Sequence, residues 1–212
     1  WLTPVAMPGG DRASREPWRV ALAQLDAAGL GHLADELFGT QPLAVLRQAI
    51  RAGVNAPLTS SAGRLFDAFA AVLGFDGAQT YEGEAAMGLE ARARPDGLAY
   101  PLGGTQGVIE TGPLWQAWAR DRAAGVAAEV MAGRFHAGLA QGFAARARAL
   151  VEMGEAQAVA LSGGCFQNAL LLDLTFAALG DVPVLIHRRT PANDGGLALG
   201  QAVVAAARAV SG

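Results

Sequence analysis

The stretch from residue 158 to 208 constrains the fold of this chain more than any other. Ala158-Val159-Ala160-Leu161 is a short apolar strand, Ser162-Gly163-Gly164 a turn, and Phe166 to Leu179 a helix. Val182 to Ile186 is a second strand, His187 to Gly195 a loop, and Gly196 to Arg208 a closing helix. Two strands joined through a helix with short connections must run parallel, and such a crossover is right-handed. In sheets of this kind, ligands sit outside the carboxyl ends of the strands. Both loops leave from those ends, so Gly163 and Asp194 are expected at one sheet edge, facing one cleft.

Upstream, the pattern is mainly helical. Val5 to Gly10 reads as a strand end running into a turn. Helices are expected from about Glu16 to Ala28, with Pro17 in the first turn, and from about Pro42 to Ala52. Thr59-Ser60-Ser61 supplies N-cap oxygens for a third, whose Leu65, Phe66, Phe69, Val72 and Leu73 fall on one face. A fourth covers Glu84 to Ala93. The residues from Gly97 to Leu114, rich in Gly, Pro and Thr, suggest short strands and turns, and long helical patterns follow to about Met153. The chain thus divides by pattern into a helix-rich segment, about 11–95, and a strand-and-helix segment, about 97–212, with no repeat and no low-complexity linker.

Composition removes several function classes. With 52% apolar and 17% charged residues, the 212-residue chain is a packed protein rather than a disordered one. No apolar run approaches the roughly 18 residues that cross a bilayer, so neither a spanning helix nor a membrane partner is expected. All 16 basic residues are Arg, which excludes a Schiff-base lysine and a phosphate loop of the G-x-x-x-x-G-K type. The net charge is −3 and the nearest thing to a basic run is a pair such as Arg92/Arg94, Arg146/Arg148 or Arg188/Arg189, so no nucleic-acid partner is expected. Cys165 is the only cysteine, which rules out an internal disulfide or thiolate cluster and suits a reducing cytoplasm. The chain starts at Trp1 without the layout of a signal peptide, and is expected to be part of something longer.

Few residues offer chemistry. The Ser162-Gly163-Gly164 turn lets backbone N–H groups approach a phosphate or ribose, and the helix start adds partial positive charge. It lacks the G-x-G-x-x-G spacing of a dinucleotide site, and a plain strand-to-helix turn would also use two glycines. Asn168 can offer donor and acceptor to a nucleotide. Asp194, in Asn193-Asp194-Gly195-Gly196, reads as a metal ligand, a base or a helix N-cap. Asp67 lies off the apolar stripe beside Arg64, where a surface ion pair explains it as well as a ligand does. Glu82 and Glu84 bracket Gly83 at a helix entry, where carboxylates favour the dipole without a catalytic role. His32, His136 and His187 never fall at i, i+4, so no two-histidine metal site exists, and His136 reads as a core histidine. Cys165 reads as a small core residue, and no G-x-S-x-G elbow is present.

Several segments, in order, resemble one family. Arg15-Glu16-Pro17-Trp18-Arg19 follows Pro8-Gly9-Gly10, and Asn55-Ala56-Pro57-Leu58-Thr59-Ser60-Ser61 leads into Gly63-Arg64-Leu65-Phe66-Asp67-Ala68. Then come Tyr81-Glu82-Gly83-Glu84-Ala85-Ala86, Arg134-Phe135-His136, Ser162-Gly163-Gly164-Cys165-Phe166-Gln167-Asn168 and the run from Asn193 to Gln201. This succession is similar to the C-terminal region of the HypF carbamoyltransferases. The resemblance implies an α/β fold, part of an actin-like or sugar-kinase-type ATPase with inserted helices, and makes residues 1–212 the C-terminal part of a carbamoyl-transfer domain. It implies transfer of the carbamoyl group of carbamoyl-adenylate, made from carbamoyl phosphate and ATP, to the C-terminal cysteine of HypE, for the cyanide ligand of nickel-iron hydrogenase. It implies nucleotide binding by Asp67 (ribose), Gly83, Glu84, Gly163, Gly164 and Asn168, and a divalent metal, iron or zinc, on Asp194. It assigns no catalytic residue.

The match departs from the family pattern in places. The His-x-x-x-His pair that would complete the metal site is absent and is expected upstream, as are the other domains, so this piece is not expected to act alone. Cys165, Ala169 and Ala62 stand where Val, Arg and Met are usual. An O-carbamoyltransferase of the antibiotic type shares fold and half-reaction, and the Arg15–Arg19 segment favours HypF over it. A non-catalytic nucleotide-binding interaction module is the alternative from another class.

Overall fold

Phe69 stacks on Phe135 with ring centroids 4.2 Å apart, while Phe66 and Trp115 close around the pair and Trp118 meets Trp115 edge-on. This aromatic cluster is the centre of the first of two units, Trp1–Gly142 and Phe143–Gly212. The computed structural model describes residues 1–104 and 107–211. The first unit holds β1 (Val5–Ala6), α1 (Arg12–Arg15), α2 (Trp18–Ala27), α3 (Gly31–Phe38), α4 (Leu43–Ala52), β2 (Leu58–Thr59), α5 (Ala62–Val72), α6 (Glu84–Arg92), α7 (Gly112–Ala123) and most of α8 (Ala128–Glu152). β1 pairs antiparallel with β2, Val5 opposite Thr59. As the Thr59-Ser60-Ser61 signal requires, Ser61 Oγ accepts the Arg64 N–H and caps α5. α5 then buries every residue from Leu65 to Val72, charged Asp67 included, so its buried surface is far wider than an apolar stripe. α3 goes beyond the sequence reading. Its signal is short, Leu33, Ala34, Leu37 and Phe38 at helical spacing between two glycines.

The pattern change near residue 96 does not divide the units, because the segment that follows lies directly along α8. Gly133, Gly138 and Gly142 make the approach possible. A Cβ at Gly133 would stand 2.5 Å from the Arg94 carbonyl oxygen, one at Gly138 would overlap that of Tyr100, and one at Gly142 would strike the Leu102 side chain. The segment is also pinned by polar contacts. The Arg94 and Tyr100 N–H groups donate to the carbonyls of Glu129 and Arg134 at 2.8 and 3.0 Å. The Arg134 guanidinium spans Asp96 and Asp121, and the Tyr100 hydroxyl donates to Asp121 at 2.8 Å. Of the strands and turns expected between Gly97 and Leu114, the structure shows the bridges Leu2–Ile109 and Gly103–Glu110, and positions 105–106 lie outside the described residues.

The second unit contains the end of α8, then β3 (Val159–Leu161), a 3-10 turn (Gly164–Gln167), α9 (Ala169–Leu179), β4 (Val184–Ile186), a second 3-10 turn (Asp194–Gly196) and α10 (Leu197–Ser211). β3 and β4 run parallel in the register Val159–Val184, Ala160–Leu185, Leu161–Ile186, as the short connections require. Ala144, Leu161 and Leu179 form the core, with Val159, Phe166, Leu172, Val182 and Val184 packed against them. α9 starts at Ala169 rather than Phe166, because Asn168 is its cap and the preceding residues tighten into the 3-10 turn. Among the described residues, no helix is long and apolar enough to cross a membrane.

Gly138→Ala tests the close approach of the 94–102 segment to α8. Backbone carbonyl, not a flexible side chain, would meet the new methyl, so the variant loses roughly 1–3 kcal/mol in urea unfolding. Gly200→Ala, in α10 with nothing within 4 Å, gains roughly 0.5–1 kcal/mol by helix propensity alone. Equal stability of Gly138→Ala and the parent contradicts the packing.

Candidate functional site

The β3–α9 and β4–α10 loops meet at one edge. Gly163 has φ 98° and ψ 159°, a backbone conformation closed to side-chain-bearing residues. Its N–H donates to the Ala192 carbonyl at 2.8 Å, joining the glycine turn to the second loop. Ser162 Oγ lies 2.9 Å from His187 Nε2, and His187 Nδ1 lies 3.1 Å from Thr190 Oγ1, a second link between the same loops. Gly164 differs from Gly163. Its φ is not positive, and a Cβ there would meet only the Asn193 Cβ, at 4.0 Å. Neither torsion nor packing within the chain requires glycine at 164, so the residue leaves open space above the turn.

Each polar residue at this edge has a definable state. Asn168 Oδ1 accepts the Leu171 N–H at 2.7 Å, so its acceptor serves as the α9 cap. Asn193, not Asp194, is the cap of the second turn, its Oδ1 accepting the Gly195 N–H at 3.0 Å. That removes the helix-cap reading of Asp194, whose exposed carboxylate takes no hydrogen bond or ion pair among the described residues. The Asn-Asp-Gly spacing of an Asx turn was the legible sign of this role. The contacts of Ser162 and Thr190 with His187 are not legible in the sequence, because only the paired strands bring Ser162 and His187 together and no local motif marks the bond to Thr190.

In the first unit, Asp67 is not on the surface. It is 1% exposed, and its Oδ2 lies 2.9 Å from Arg64 Nη1. The two atoms are close but not aligned as a hydrogen bond, and both are buried without another partner. Burial pushes the Asp67 carboxyl up to about 6, against the opposing attraction of Arg64 and the nearby Gln79 side chain. Arg64 also reaches toward Glu82, at 3.9 Å, which is almost wholly exposed. Gly83, with φ 83°, is the N-cap position of α6. Glu84 folds back to accept from the Thr80 N–H at 2.6 Å and the Thr80 hydroxyl at 2.9 Å, which hold its carboxyl below the usual range. In the resting chain Glu84 therefore closes the turn before α6.

His136 is buried, as its place between Phe135 and Leu139 suggests, with Nδ1 2.8 Å from the Ala132 carbonyl oxygen and its pKa lowered by burial. Among the described residues no three His, Cys, Asp or Glu side chains are placed to hold a metal ion together. Cys165 is half-buried and forms no disulfide.

The glycine turn and the Asn-Asp-Gly-Gly loop lie together at the carboxyl edge of the parallel strands, and the family match makes this α/β fold a lobe of the actin-like ATPase class, which binds nucleotides. Residues 1–201 match the family model described as carbamoyltransferase, Kae1-like domain, second subdomain. The chain belongs to the HypF carbamoyltransferase family, a family of enzymes. It is 54% identical to carbamoyltransferase HypF of Rhodobacter capsulatus over 98% of this chain and 28% of that protein. It is 44% identical to HypF of Rhizobium leguminosarum bv. viciae over 94% of this chain and 27% of that one. Among solved structures it is similar to a full-length HypF in its phosphate- and nucleotide-bound form, with a TM-score of 0.89 and 27% identity over 96% of this chain and 28% of that one. The chain therefore spans little more than a quarter of the length of these relatives.

The state of Asp67 gives a pH signature. The folded chain holds this proton more tightly than the unfolded chain, whose carboxyl titrates near 3.8. Its stabilising contribution is complete below that pH and is lost as pH rises through about 6. The decline amounts to roughly 3 kcal/mol for a shift of this size. Urea unfolding of Asp67→Asn between pH 4 and 7 should lack that decline. A variant with the parent's slope would show that Asp67 titrates normally.

Proposed function

We propose that this chain is the nucleotide-holding part of a carbamoyl-transfer site, acting within a longer HypF-type enzyme. That enzyme passes the carbamoyl group of carbamoyl-adenylate, made from carbamoyl phosphate and ATP, to the C-terminal cysteine of HypE in the maturation of nickel-iron hydrogenase, in the cytoplasm. The single observation that carries the nucleotide reading is Gly164, a glycine required by neither backbone torsion nor internal packing and standing over open space. An open glycine at this edge leaves room for a ligand to lie close against the turn. The phosphate- and nucleotide-bound form of the similar full-length HypF supports the same reading.

In the second unit, Gly163 and Gly164 bring backbone to the adenosine and phosphate. Asn168, which caps α9 through its Oδ1, is the polar side chain that the family resemblance assigns to the nucleotide here. In the first unit, the family resemblance assigns Gly83 and Glu84 to a nucleoside and Asp67 to ribose hydroxyls. Asp67 and Arg64 each carry a buried polar atom lacking an aligned partner, which suits an inserted hydroxyl. Because Asp67 is buried, the turn bearing Gln79 and Glu82 must give way first. Asp194 suits one ligand position of a divalent metal, iron or zinc, since its carboxylate is exposed and unengaged. When bound, that metal would orient carbamoyl or phosphate oxygens and offset their charge. The remaining ligands come from a histidine pair outside these residues.

In the full-length enzyme, Gly164→Val fills the open space and weakens AMP binding about tenfold or more by calorimetry, while the fold is retained. Asp194→Ala abolishes the carbamoyl adduct on the HypE cysteine, read by mass spectrometry, and the present chain alone forms none. Unchanged AMP affinity in Gly164→Val contradicts the nucleotide reading. Adduct formed by Asp194→Ala, or by this chain alone, contradicts the metal assignment.

A further inference from the structure

We propose that His187 is a positioning residue that sets the hydrogen-bond polarity of Ser162, so that the Ser162 hydroxyl donates to the phosphate of a nucleotide on the glycine turn. The proposal rests on the nucleotide reading above and deepens it. Ser162 is the first residue after β3 and His187 the first after β4, so parallel pairing in register delivers both to the same edge. Their contact is direct, Oγ to Nε2 at 2.9 Å, and the other ring nitrogen is held 3.1 Å from Thr190 Oγ1. The imidazole is thus fixed at both nitrogens, and the serine rotamer is fixed with it.

What Ser162 offers a ligand depends on which partner supplies the proton in that contact. A neutral imidazole donates from one nitrogen and accepts at the other. With the proton on Nδ1, Nε2 accepts from Ser162, whose hydroxyl then presents only lone pairs outward. With the proton on Nε2, the ring donates to Ser162 Oγ and Thr190 donates to Nδ1. The Ser162 proton is then released toward whatever lies over Gly163 and Gly164. A phosphate oxygen there selects the second arrangement, because it can only accept. The Gly163 N–H is already committed to Ala192, so a hydroxyl donor beside it replaces an amide the turn cannot offer. Arg188 and Arg189, adjacent in the chain to His187, add positive charge to this loop.

Binding to the full-length protein tests the idea, with AMP and adenosine as the two probes. Ser162 and His187 are both exposed, so neither substitution opens a cavity. His187→Ala should weaken AMP several-fold, because the freed Ser162 hydroxyl can still rotate to donate, and leave adenosine nearly unchanged. His187→Gln, whose amide donates to Ser162, should restore AMP affinity. Ser162→Ala, which removes the donor, should weaken AMP about ten- to a hundredfold, and the double variant should be no worse than Ser162→Ala. Equal losses on AMP and adenosine, additive losses in the double variant, or failure of His187→Gln to restore binding each overturn the proposal. Loss of AMP in Gly164→Val with full binding in His187→Ala overturns this proposal alone. Unchanged AMP affinity in Gly164→Val overturns the nucleotide reading and this proposal with it.

Discussion

Parallel pairing of Val159–Leu161 with Val184–Ile186 is the constraint on which the functional edge depends. A parallel pair must send both following loops out at the same end, so the glycine turn and the Asn193-Asp194 loop become neighbours regardless of their own sequences. Side chains then convert neighbourhood into a fixed geometry. Gly163 donates to Ala192, Ser162 meets His187, and Asn193 curls on Gly195. Beneath them Leu161, Leu179 and Ala144 anchor strand, helix and α8 to one small core. Each loop therefore holds the other in place at the point where a ligand would rest.

The first unit solves a different problem, which is how to keep charged groups inside an aromatic and alanine-rich core. Arg64 and Asp67 share one turn of α5, paired in space yet short of hydrogen-bond alignment. Such a pair is costly to bury and weak as a source of stability. This pair lies next to the turn bearing Gln79, Glu82 and Gly83. Elsewhere the charges are satisfied locally. Glu16 serves both Arg12 and Arg19, and Arg134 serves both Asp96 and Asp121.

Much of this was readable from sequence, for identifiable reasons. The βα repeat at the C-terminal end was legible because apolar runs, glycine turns and short connections all point the same way. The α5 start was legible through Ser61, and His136 through its apolar flanks. Of the two readings open for Asp67, the surface ion pair fails because helical periodicity reports one stripe, whereas α5 is surrounded by packed neighbours on nearly every side. The α8 glycines carried no readable signal, since their purpose lies in a segment some 40 residues upstream in the chain. Likewise the Ser162–His187 contact joins residues 25 apart, which spacing rules for metal ligands do not sample.

The central claim is that the two C-terminal loops form one ligand edge. Backbone amide hydrogen exchange in the full-length protein, with and without AMP, measures it most directly. The account predicts that protection rises together in 163–167 and 193–197, with the β3–β4 pairing protected in both states. Protection confined to one loop, or nucleotide binding that leaves both loops unchanged, would contradict it.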